Sequence, residues 1–392
     1  IYFLGFLFYF LTTQKSQKKE QQMRFTFDRN AMINEISMAQ EIISTKSAIS
    51  ILSNVLFIAK ENSLTIKATD IKVNFETKIP VDIESEGSTT VFCDKFLGIL
   101  SGLDEGEIVF DLQQKENQTV AIIRHSTKKI KFQLKCQSQD KFPEFPSTEN
   151  VPFFEVSSKK IKQMISQTSF AVSADETRYF MNGVFFEKKE NKLVMVATDG
   201  RRLAYASKEF EESVYDFPSA IVHPKVLNIV AKHLSDEGNV SISIVDKIIF
   251  FKFANYELSS TLIDGQFPNY MRVIPETQLY NFKVNKVELI ESLKRMAIMV
   301  DKKSGRIFFN ICPGVLKLTS QESDSGDAEV EIPCEYAGDE ITIAMNFRYI
   351  EEPLKAMNCD RIKFEFSGEM KAVTILSEPA EDYFHIVMPM QM

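Results

Sequence analysis

The sequence predicts an α+β protein built from three tandem copies of one domain, each with two helices packed on antiparallel sheets. The first observation is a segment that joins a short strand to an amphipathic helix and begins at Arg24, Phe153 and Asn281. Phe153 follows Arg24 by 129 residues, and Asn281 follows Phe153 by 128 residues. Two further patterns recur along the chain, a strand–helix–strand segment and the tripeptide Ala-Thr-Asp.

Each copy opens with a polar residue at the point where its first helix should begin. Asp28, Ser157 and Asn285 precede runs in which apolar residues recur at helical spacing. A side-chain oxygen at such a position accepts a hydrogen bond from one of the first free N–H groups of the helix. We therefore expect these three residues to cap the first helices.

A second helix lies between two strands later in each copy. The three segments are TVFCDKFLGILSGLDEGEIVFDL from Thr90, AIVHPKVLNIVAKHLSDEGNVSISI from Ala220 and TIAMNFRYIEEPLKAMNCDRIKFEF from Thr342. Stretches with Phe-Pro after an aspartate, at 140–146 and 264–270, are typical of linkers. The predicted domains are residues 23–147, 148–277 and 278–392.

A buried strand in the second copy breaks at the sequence Thr198-Asp199-Gly200-Arg201-Arg202. Ala68-Thr69-Asp70 matches Ala197-Thr198-Asp199 at a spacing of 129 residues. A catalytic loop would not need a structural twin, so the Thr-Asp pair is interpreted as a strand-end turn whose side chains cap backbone N–H groups. Gly200 to Leu203 is peculiar to the second copy, and a function would have been added there.

The composition describes a globular protein with an acidic balance. The chain has 392 residues, of which 44% are hydrophobic and 26% charged, and its net charge is −8. A protein that coats nucleic acid would be basic overall, but a basic face on an acidic body is compatible with these numbers. The five cysteines lack CxxC spacing, which favours a reduced protein over a disulfide or metal framework.

The N-terminal segment differs from the rest of the chain. Ile1 to Leu11 is almost wholly apolar, yet crossing a bilayer takes about 20 residues, and its flanks are not those of a signal peptide. We expect residues 1–22 to be an extension outside the domains, non-native or disordered. The alternative is a membrane-associating anchor.

The chain lacks the residue patterns of common active sites. Its four histidines are dispersed, and the motifs GxxxxGK(S/T), GxGxxG and GxSxG do not occur. We therefore expect that the protein is not an enzyme and that it has no catalytic residues, no metal and no cofactor. The alternative is an enzyme that uses Asp199 with Arg201 or Arg202 on a phosphorylated substrate, which the twin Asp70 disfavours.

Four segments add a resemblance to the three-copy plan: RYFMNG from Arg178, VATDGRRLA from Val196, GQFPNYMRVIP from Gly265 and VMPMQM from Val387. Over residues 23–392 the chain resembles the bacterial sliding clamps, the beta subunits of DNA polymerase III. The resemblance implies a head-to-tail homodimer whose six domains form a ring around double-stranded DNA, without sequence preference. Its implied partners are the replicative polymerase, the clamp loader, repair polymerases and mismatch-repair proteins, with no membrane and a cytoplasmic, nucleoid-associated location.

The resemblance also implies three sets of residues. The partner-peptide cleft would include Met181, Thr198, Gly200, Arg201, Arg202, Leu203, Pro268, Val273, Met370, Ala372, Ile386, Met388, Pro389 and Met390. The DNA-facing residues would be Lys46, Lys160, Arg178, Tyr179, Lys225, Lys232, Lys294 and Arg348. The dimer interface would include Phe132, Ile298 and Met299.

Two departures from the family pattern leave the choice of partner motifs open. Arg201 stands where family members often carry histidine, and the tail ends in Gln391-Met392 where Arg-Leu is commoner. The alternative function is a monomeric scaffold of three interaction domains without ring closure.

We predict that Ile298→Ala with Met299→Ala yields monomers, because the two apolar side chains would lose their contact with Phe132 of a second copy. Light scattering measures the mass. A dimer that persists at nanomolar protein would contradict the prediction.

Overall fold

A computed structural model of the protein describes residues 22–43, 50–115, 118–210, 214–301, 303–322 and 326–391. Lys46 and residues 1–21 of the predicted extension lie outside these ranges. The chain divides into two compact units, one formed by residues up to Ser147 with Ala254–Glu257 and the other by the rest of the chain. No helix in the described ranges is long and apolar enough to cross a membrane.

The described elements follow the predicted order three times. The first copy contains β1 (Met23–Asp28), α1 (Arg29–Ile42), β2 (Asn54–Lys60), β3 (Ser63–Thr69), β4 (Val73–Pro80), β5 (Asp82–Ser85), β6 (Gly87–Phe92), α2 (Cys93–Ser101), β7 (Glu107–Lys115), β8 (Gln118–His125) and β9 (Lys131–Gln137). The second contains β10 (Phe154–Ser157), α3 (Ser158–Thr168), β11 (Val184–Lys189), β12 (Lys192–Thr198), β13 (Arg202–Glu209), β14 (Ala220–Val222), α4 (Pro224–His233), β15 (Asn239–Val245), β16 (Ile248–Phe253) and β17 (Tyr256–Thr261). The third contains β18 (Tyr280–Asn285), α5 (Lys286–Met296), β19 (Arg306–Cys312), β20 (Val315–Ser320), β21 (Glu329–Glu335), β22 (Ile341–Asn346), α6 (Phe347–Ala356), β23 (Arg361–Phe366), β24 (Val373–Glu381) and β25 (Tyr383–Val387). Short 3₁₀ helices cover Ser50–Ser53, Gln139–Lys141, Ser169–Ala171, Glu176–Met181 and Tyr270–Val273.

The caps of the first helices agree with the sequence in two copies. The N–H of Ala31 donates to Asp28 Oδ1 at 2.9 Å, and the N–H of Glu288 donates to Asn285 Oδ1 at 3.1 Å. The prediction for Ser157 was wrong, because its side chain makes no capping hydrogen bond although it occupies the cap position. Ser157 has φ −52° and ψ 129°, outside the extended region that Asp28 and Asn285 adopt at the same position.

The first unit buries an aromatic cluster under antiparallel strands. Its strand order is β4-β3-β2-β6-β9-β8-β7-β1-β5. The rings of Phe25 and Phe110 stack at 4.9 Å, and Phe57 meets Phe96 of α2 edge to face at 5.3 Å. These alternating positions on the strands point to one face, where α1 and α2 cover them.

The second unit contains the other two copies, joined in one antiparallel sheet of order β14-β11-β12-β13-β25-β24-β23-β18-β21-β20-β19-β22. The junction is the ladder between β13 and β25, which pairs Arg202 with Val387 and Ala206 with Tyr383. Helix α3 packs on β12 and β13 and also contacts α6 of the third copy. The two copies therefore share an apolar cluster that includes Val194 and Leu203 of the second copy and Ile386 of the third.

The Thr-Asp turn of the second copy is held by its own side chains. Thr198 Oγ1 accepts from the N–H of Gly200 at 3.1 Å and donates to the carbonyl of Arg202 at 2.6 Å. Asp199 Oδ1 accepts from the N–H groups of Arg201 at 2.9 Å and Arg202 at 3.1 Å. The predicted capping role is confirmed.

The first copy repeats this turn bond for bond. Thr69 Oγ1 accepts from the N–H of Ile71 at 2.9 Å and donates to the carbonyl of Val73 at 3.0 Å. Asp70 Oδ1 accepts from the N–H groups of Lys72 at 3.0 Å and Val73 at 2.7 Å. Residue three of both turns has a positive φ, which is 86° at Gly200 and 81° at Ile71. Only the second copy has glycine there.

We predict that Ile71→Gly stabilises the first unit by about 0.5–1 kcal/mol. A β-branched residue in the left-handed region costs about 1–2 kcal/mol, whereas the extra freedom of glycine in the unfolded chain costs about 0.5–1 kcal/mol. Little burial is lost, since Ile71 is 56% exposed. Thermal unfolding followed by circular dichroism measures the change. Ile71→Val is the matched control and should leave the midpoint unchanged; a lower midpoint for Ile71→Gly would contradict the strain.

Candidate functional site

A cavity of about 270 Å³ lies in the second unit, beside the turn of the second copy. Its lining residues are Met181, Thr198, Gly200, Arg201, Arg202, Leu203, Pro268, Asn269, Tyr270, Val273, Ile386 and Met388. The predicted cleft residues that do not line it are Met370, Ala372, Pro389 and Met390. Asn269 and Tyr270 line the cavity but were not among the predicted cleft residues, although both lie in the segment GQFPNYMRVIP.

An apolar cluster forms the floor of the cavity. Leu203 and Ile386, paired across β13 and β25, are buried with Phe267 and Tyr270. Ala372 packs against this cluster without reaching the cavity, while Met370 is exposed in the turn after β23. The cavity can therefore bury apolar side chains of a ligand.

Tyr270 is fixed by a hydrogen bond from its hydroxyl to Glu187 Oε2 at 2.7 Å. Burial, together with this carboxylate, raises the pKa of Tyr270 above its ordinary value. The phenol therefore stays neutral, and its ring is a rigid apolar part of the cavity floor.

The tail after β25 forms the opposite wall. The N–H of Met388 donates to the carbonyl of Arg201 at 2.9 Å, which attaches the start of the tail to the turn. Met388 is 44% exposed, so its thioether is available to a ligand at the cavity mouth. Methionine adapts its shape to different partners.

The guanidinium of Arg202 is buried at the back of the turn. Its Nε pairs with Asp199 Oδ2 at 3.1 Å, its Nη1 pairs with Glu352, and its Nη2 donates to the carbonyl of Phe170 at 2.7 Å. It also lies 4.5 Å from the ring centre of Tyr349. These contacts use three of the five N–H donors and hold both ends of the guanidinium, so this residue braces the cavity wall.

The same contacts bear on the enzyme alternative. Both carboxylate oxygens of Asp199 are used, one by the turn's N–H groups and the other by Arg202. His385 is completely buried behind Arg202, and burial followed by that positive charge lowers its pKa to about 3. His385 is therefore neutral and inaccessible at neutral pH, and the carboxylate of Asp199 is engaged within the protein.

Gly200 adopts the positive φ of the turn without strain and leaves room for a neighbouring side chain. A Cβ at Gly200 would lie 3.0 Å from Arg178 Nη1, in addition to the strain of its positive φ. Arg178, predicted to face DNA, thus lies against this turn, and its Nε pairs with Asp175 at 3.0 Å. Its neighbour Tyr179 is exposed.

Family models of the DNA polymerase III beta subunit match three consecutive segments of the chain. The N-terminal domain matches residues 23–146, the central domain residues 155–269 and the C-terminal domain residues 271–391.

The chain belongs to the DNA polymerase III beta subunit family.

Known relatives agree with this membership over nearly the whole chain. The chain is 45% identical to the beta sliding clamp of Treponema pallidum over 373 residues, which are 94% of this chain and 100% of the relative. It is 26% identical to the beta sliding clamp of Pseudomonas aeruginosa, again over 94% and 100% of the two chains. The resemblance stated from the sequence motifs is confirmed.

Two solved structures share the fold. The beta sliding clamp of C. crescentus matches with a TM-score of 0.90 and 25% identity, over 95% of this chain and 100% of that chain. A sliding clamp from Pseudomonas aeruginosa bound to griselimycin matches with a TM-score of 0.86 and 26% identity, over 94% and 100%. The three tandem clamp domains predicted from the repeats are confirmed.

The other predicted DNA-facing residues of this family member lie on helices of the second unit. Lys160 is on α3, Lys225 and Lys232 are on α4, Lys294 is on α5 and Arg348 is on α6. Lys232, Lys294 and Arg348 are exposed, whereas Lys160 and Lys225 are half-buried.

The predicted dimer residues are exposed apolar side chains on separate elements. Phe132 on β9 is 37% exposed, and Ile298, just after α5, is 80% exposed. Met299 is half-buried beside it, and both line a surface cavity of about 460 Å³ with Arg306 and Gln321.

The cysteines form no disulfides, and some of them are buried. All five cysteines are free, and burial raises the pKa of Cys93 to about 12 and that of Cys136 and Cys334 to about 11. Among the described residues, no group of three or more histidine, cysteine, aspartate or glutamate side chains could hold a metal ion.

We predict that Arg202→Met destabilises the second unit by roughly 3 kcal/mol, because it leaves Asp199 and Glu352 without their buried partner. Arg202→Lys should recover part of the loss, since an ammonium group cannot reproduce the planar fork. Urea unfolding followed by circular dichroism measures both. Arg295→Gln, which removes an exposed ion pair with Glu291, is the control and should change stability by less than about 1 kcal/mol. An Arg202→Met midpoint equal to that of the control would contradict the bracing role.

Proposed function

We propose that the protein is a DNA polymerase processivity factor, a sliding clamp in which two copies close head to tail into a ring of six domains around duplex DNA. The observation that carries this proposal is full-length similarity, at 45% identity, to the beta sliding clamp of Treponema pallidum. The protein would act as a binding component of the replication machinery in the bacterial cytoplasm, associated with the nucleoid, and not as an enzyme.

Two open strand edges support ring closure. Residues 131–135 of β9 pair with β8 on one side, while the β6 ladder on the other side covers Cys136 and Gln137. Residues 329–333 of β21 pair with β20, while the β18 ladder covers Cys334 and Glu335. Among the described strands, each segment therefore keeps one edge unpaired, and such an edge is a template for strand pairing with another chain.

The two edges carry opposite charges. Lys131 and Lys135 lie on the β9 segment, and Glu329 and Glu331 lie on the β21 segment. If the β9 edge of one protein molecule pairs with the β21 edge of a second molecule, opposite charges lie across the new ladder. These charges favour that pairing over the pairing of two identical edges. The exposed Phe132 lies on the same β9 segment and supplies an apolar anchor.

A ring holds DNA by enclosing it, so tight contacts with phosphates are unnecessary. Each neutralised phosphate adds salt-dependent affinity, and many fixed contacts would resist sliding. A chain of net charge −8 with a limited number of helix cations suits loose contact. We assign Lys160, Lys225, Lys232, Lys294 and Arg348 to the DNA-facing side, with Lys46, Arg178 and Tyr179 as further candidates from the family resemblance.

The cavity beside the turn would bind a short linear segment of partner proteins through apolar anchors. Its floor is apolar, and its walls include Met181 and Met388, whose flexible thioethers accommodate different side chains. The replicative polymerase, the clamp loader, repair polymerases and mismatch-repair proteins are the partners we propose for this cleft. Met370, Ala372, Pro389 and Met390 would contact the parts of a peptide that extend beyond the cavity.

The charged edges predict a specific rescue experiment. Lys131→Glu with Lys135→Glu in one variant, and Glu329→Lys with Glu331→Lys in another, should each give monomers near 44.9 kDa, because like charges face each other at both contacts. An equimolar mixture should form heterodimers near twice that mass, because both contacts then join opposite charges.

Light scattering at low salt measures the three masses. The mixture contains the same substitutions as its components, so it controls for misfolding. A mixture that stays monomeric would contradict the edge pairing and favour the monomeric scaffold.

A further inference from the structure

The tail, residues 388–391, extends the third copy by running beside β22. The N–H of Met390 donates to the carbonyl of Ala344 in β22 at 2.7 Å. β22 pairs with β19 through its other edge, where Ala344 stands opposite Phe308. The tail therefore occupies the free edge of β22, while Met388 at its start reaches the cleft.

One side chain from β19 reaches over to the end of the tail. Arg306 Nη1 donates to the carbonyl of Gln391 at 2.9 Å. Its Nη2 donates to Gln321 Oε1, and its guanidinium lies 5.5 Å from the ring centre of Phe308. The guanidinium is thus held by a second partner and an aromatic face, and it grips a backbone carbonyl that any residue at position 391 would supply.

We infer that Arg306 is a positioning residue for the peptide cleft: it fixes the tail against β22, so that Met388 stands as a preformed wall. The inference rests on the proposed peptide binding of the cleft. A tail that is attached at both ends is already ordered in the free protein. A frayed tail would have to become ordered during binding, and this cost weakens the apparent affinity for the peptide. Arginine suits this task because its planar fork serves a carbonyl and an amide oxygen together.

The cleft lining alone would not identify Arg306. It lies 85 residues before Gln391 in sequence and lines the neighbouring cavity with Ile298 and Met299, not the cleft itself. Its effect on a peptide would pass through the tail backbone. A variant at Arg306 should therefore act only while the tail is present.

The first test measures the affinity of a fluorescein-labelled Gln-Leu-Ser-Leu-Phe peptide, chosen because three apolar anchors match the apolar floor. Arg306→Gln should weaken binding about tenfold, or about 1.4 kcal/mol, and Arg306→Lys should lie between it and the parent chain. Arg361→Gln removes another arginine of the third copy, paired with Glu335 at 2.5 Å, and should bind like the parent chain. Equal affinity of Arg306→Gln and the parent chain would overturn the inference.

The second test repeats Arg306→Gln in a chain that ends at Pro389. Without Met390 and Gln391 the guanidinium has no tail to hold, so the substitution should cause no further loss of affinity. The same tenfold loss in the shortened chain would show that Arg306 acts by another route and would overturn the inference.

Amide hydrogen exchange of the free protein separates this inference from the proposed function. Arg306→Gln should accelerate exchange at Met388 and Met390, while core strands keep their protection. If the parent chain binds no peptide but the tail amides respond, the cleft assignment fails and the tail attachment stands. Unchanged exchange at both amides would overturn the attachment itself.

Discussion

The contacts of one buried side chain, the guanidinium of Arg202, connect the two copies of the second unit. It connects the turn of the second copy, through Asp199, to the helix of the third copy that carries Glu352 and Tyr349. The β13–β25 ladder aligns the strands of the two copies, and Arg202 adds a side-chain link between the turn and α6. The planar guanidinium is held from three directions, by Asp199, Glu352 and the carbonyl of Phe170. Arg202 therefore supports the side of the cavity that the turn forms.

The twin turns indicate how a function could be added to a repeated structural unit. The hydrogen bonds of Thr69-Asp70 and Thr198-Asp199 are the same, so the turn itself is a structural device for reversing the chain between strands. The third residue differs: Gly200 accepts the positive φ without strain and leaves room for Arg178, whereas Ile71 has the same φ with a branched side chain. The distinctive chemistry of the second copy begins at this position.

The sequence predicted features that depend on local order and failed where distant residues decide. The repeats predicted the three domains. The Thr198-Asp199 pair predicted the turn, because these side chains bond to backbone groups only a few residues away. Nothing local indicates Glu352 as the partner of Arg202, since the two are 150 residues apart. Likewise, the direction in which the side chains of Asn269 and Tyr270 point depends on the 3₁₀ helix Tyr270–Val273. The position of Met370 depends on the turn after β23. Side-chain direction in such turns follows from packing and not from residue type.

Retention on circular DNA tests the topological mechanism most directly. The protein would be placed on a nicked circular plasmid by the clamp loader of the same organism, separated from free protein by gel filtration in high salt, and assayed again after a restriction enzyme has cut the circle once. A closed ring should stay on the circle at high salt and leave the linear DNA through its ends, since enclosure does not depend on phosphate contacts. Loss from the circle at high salt, or equal retention on circular and linear DNA, would contradict the account.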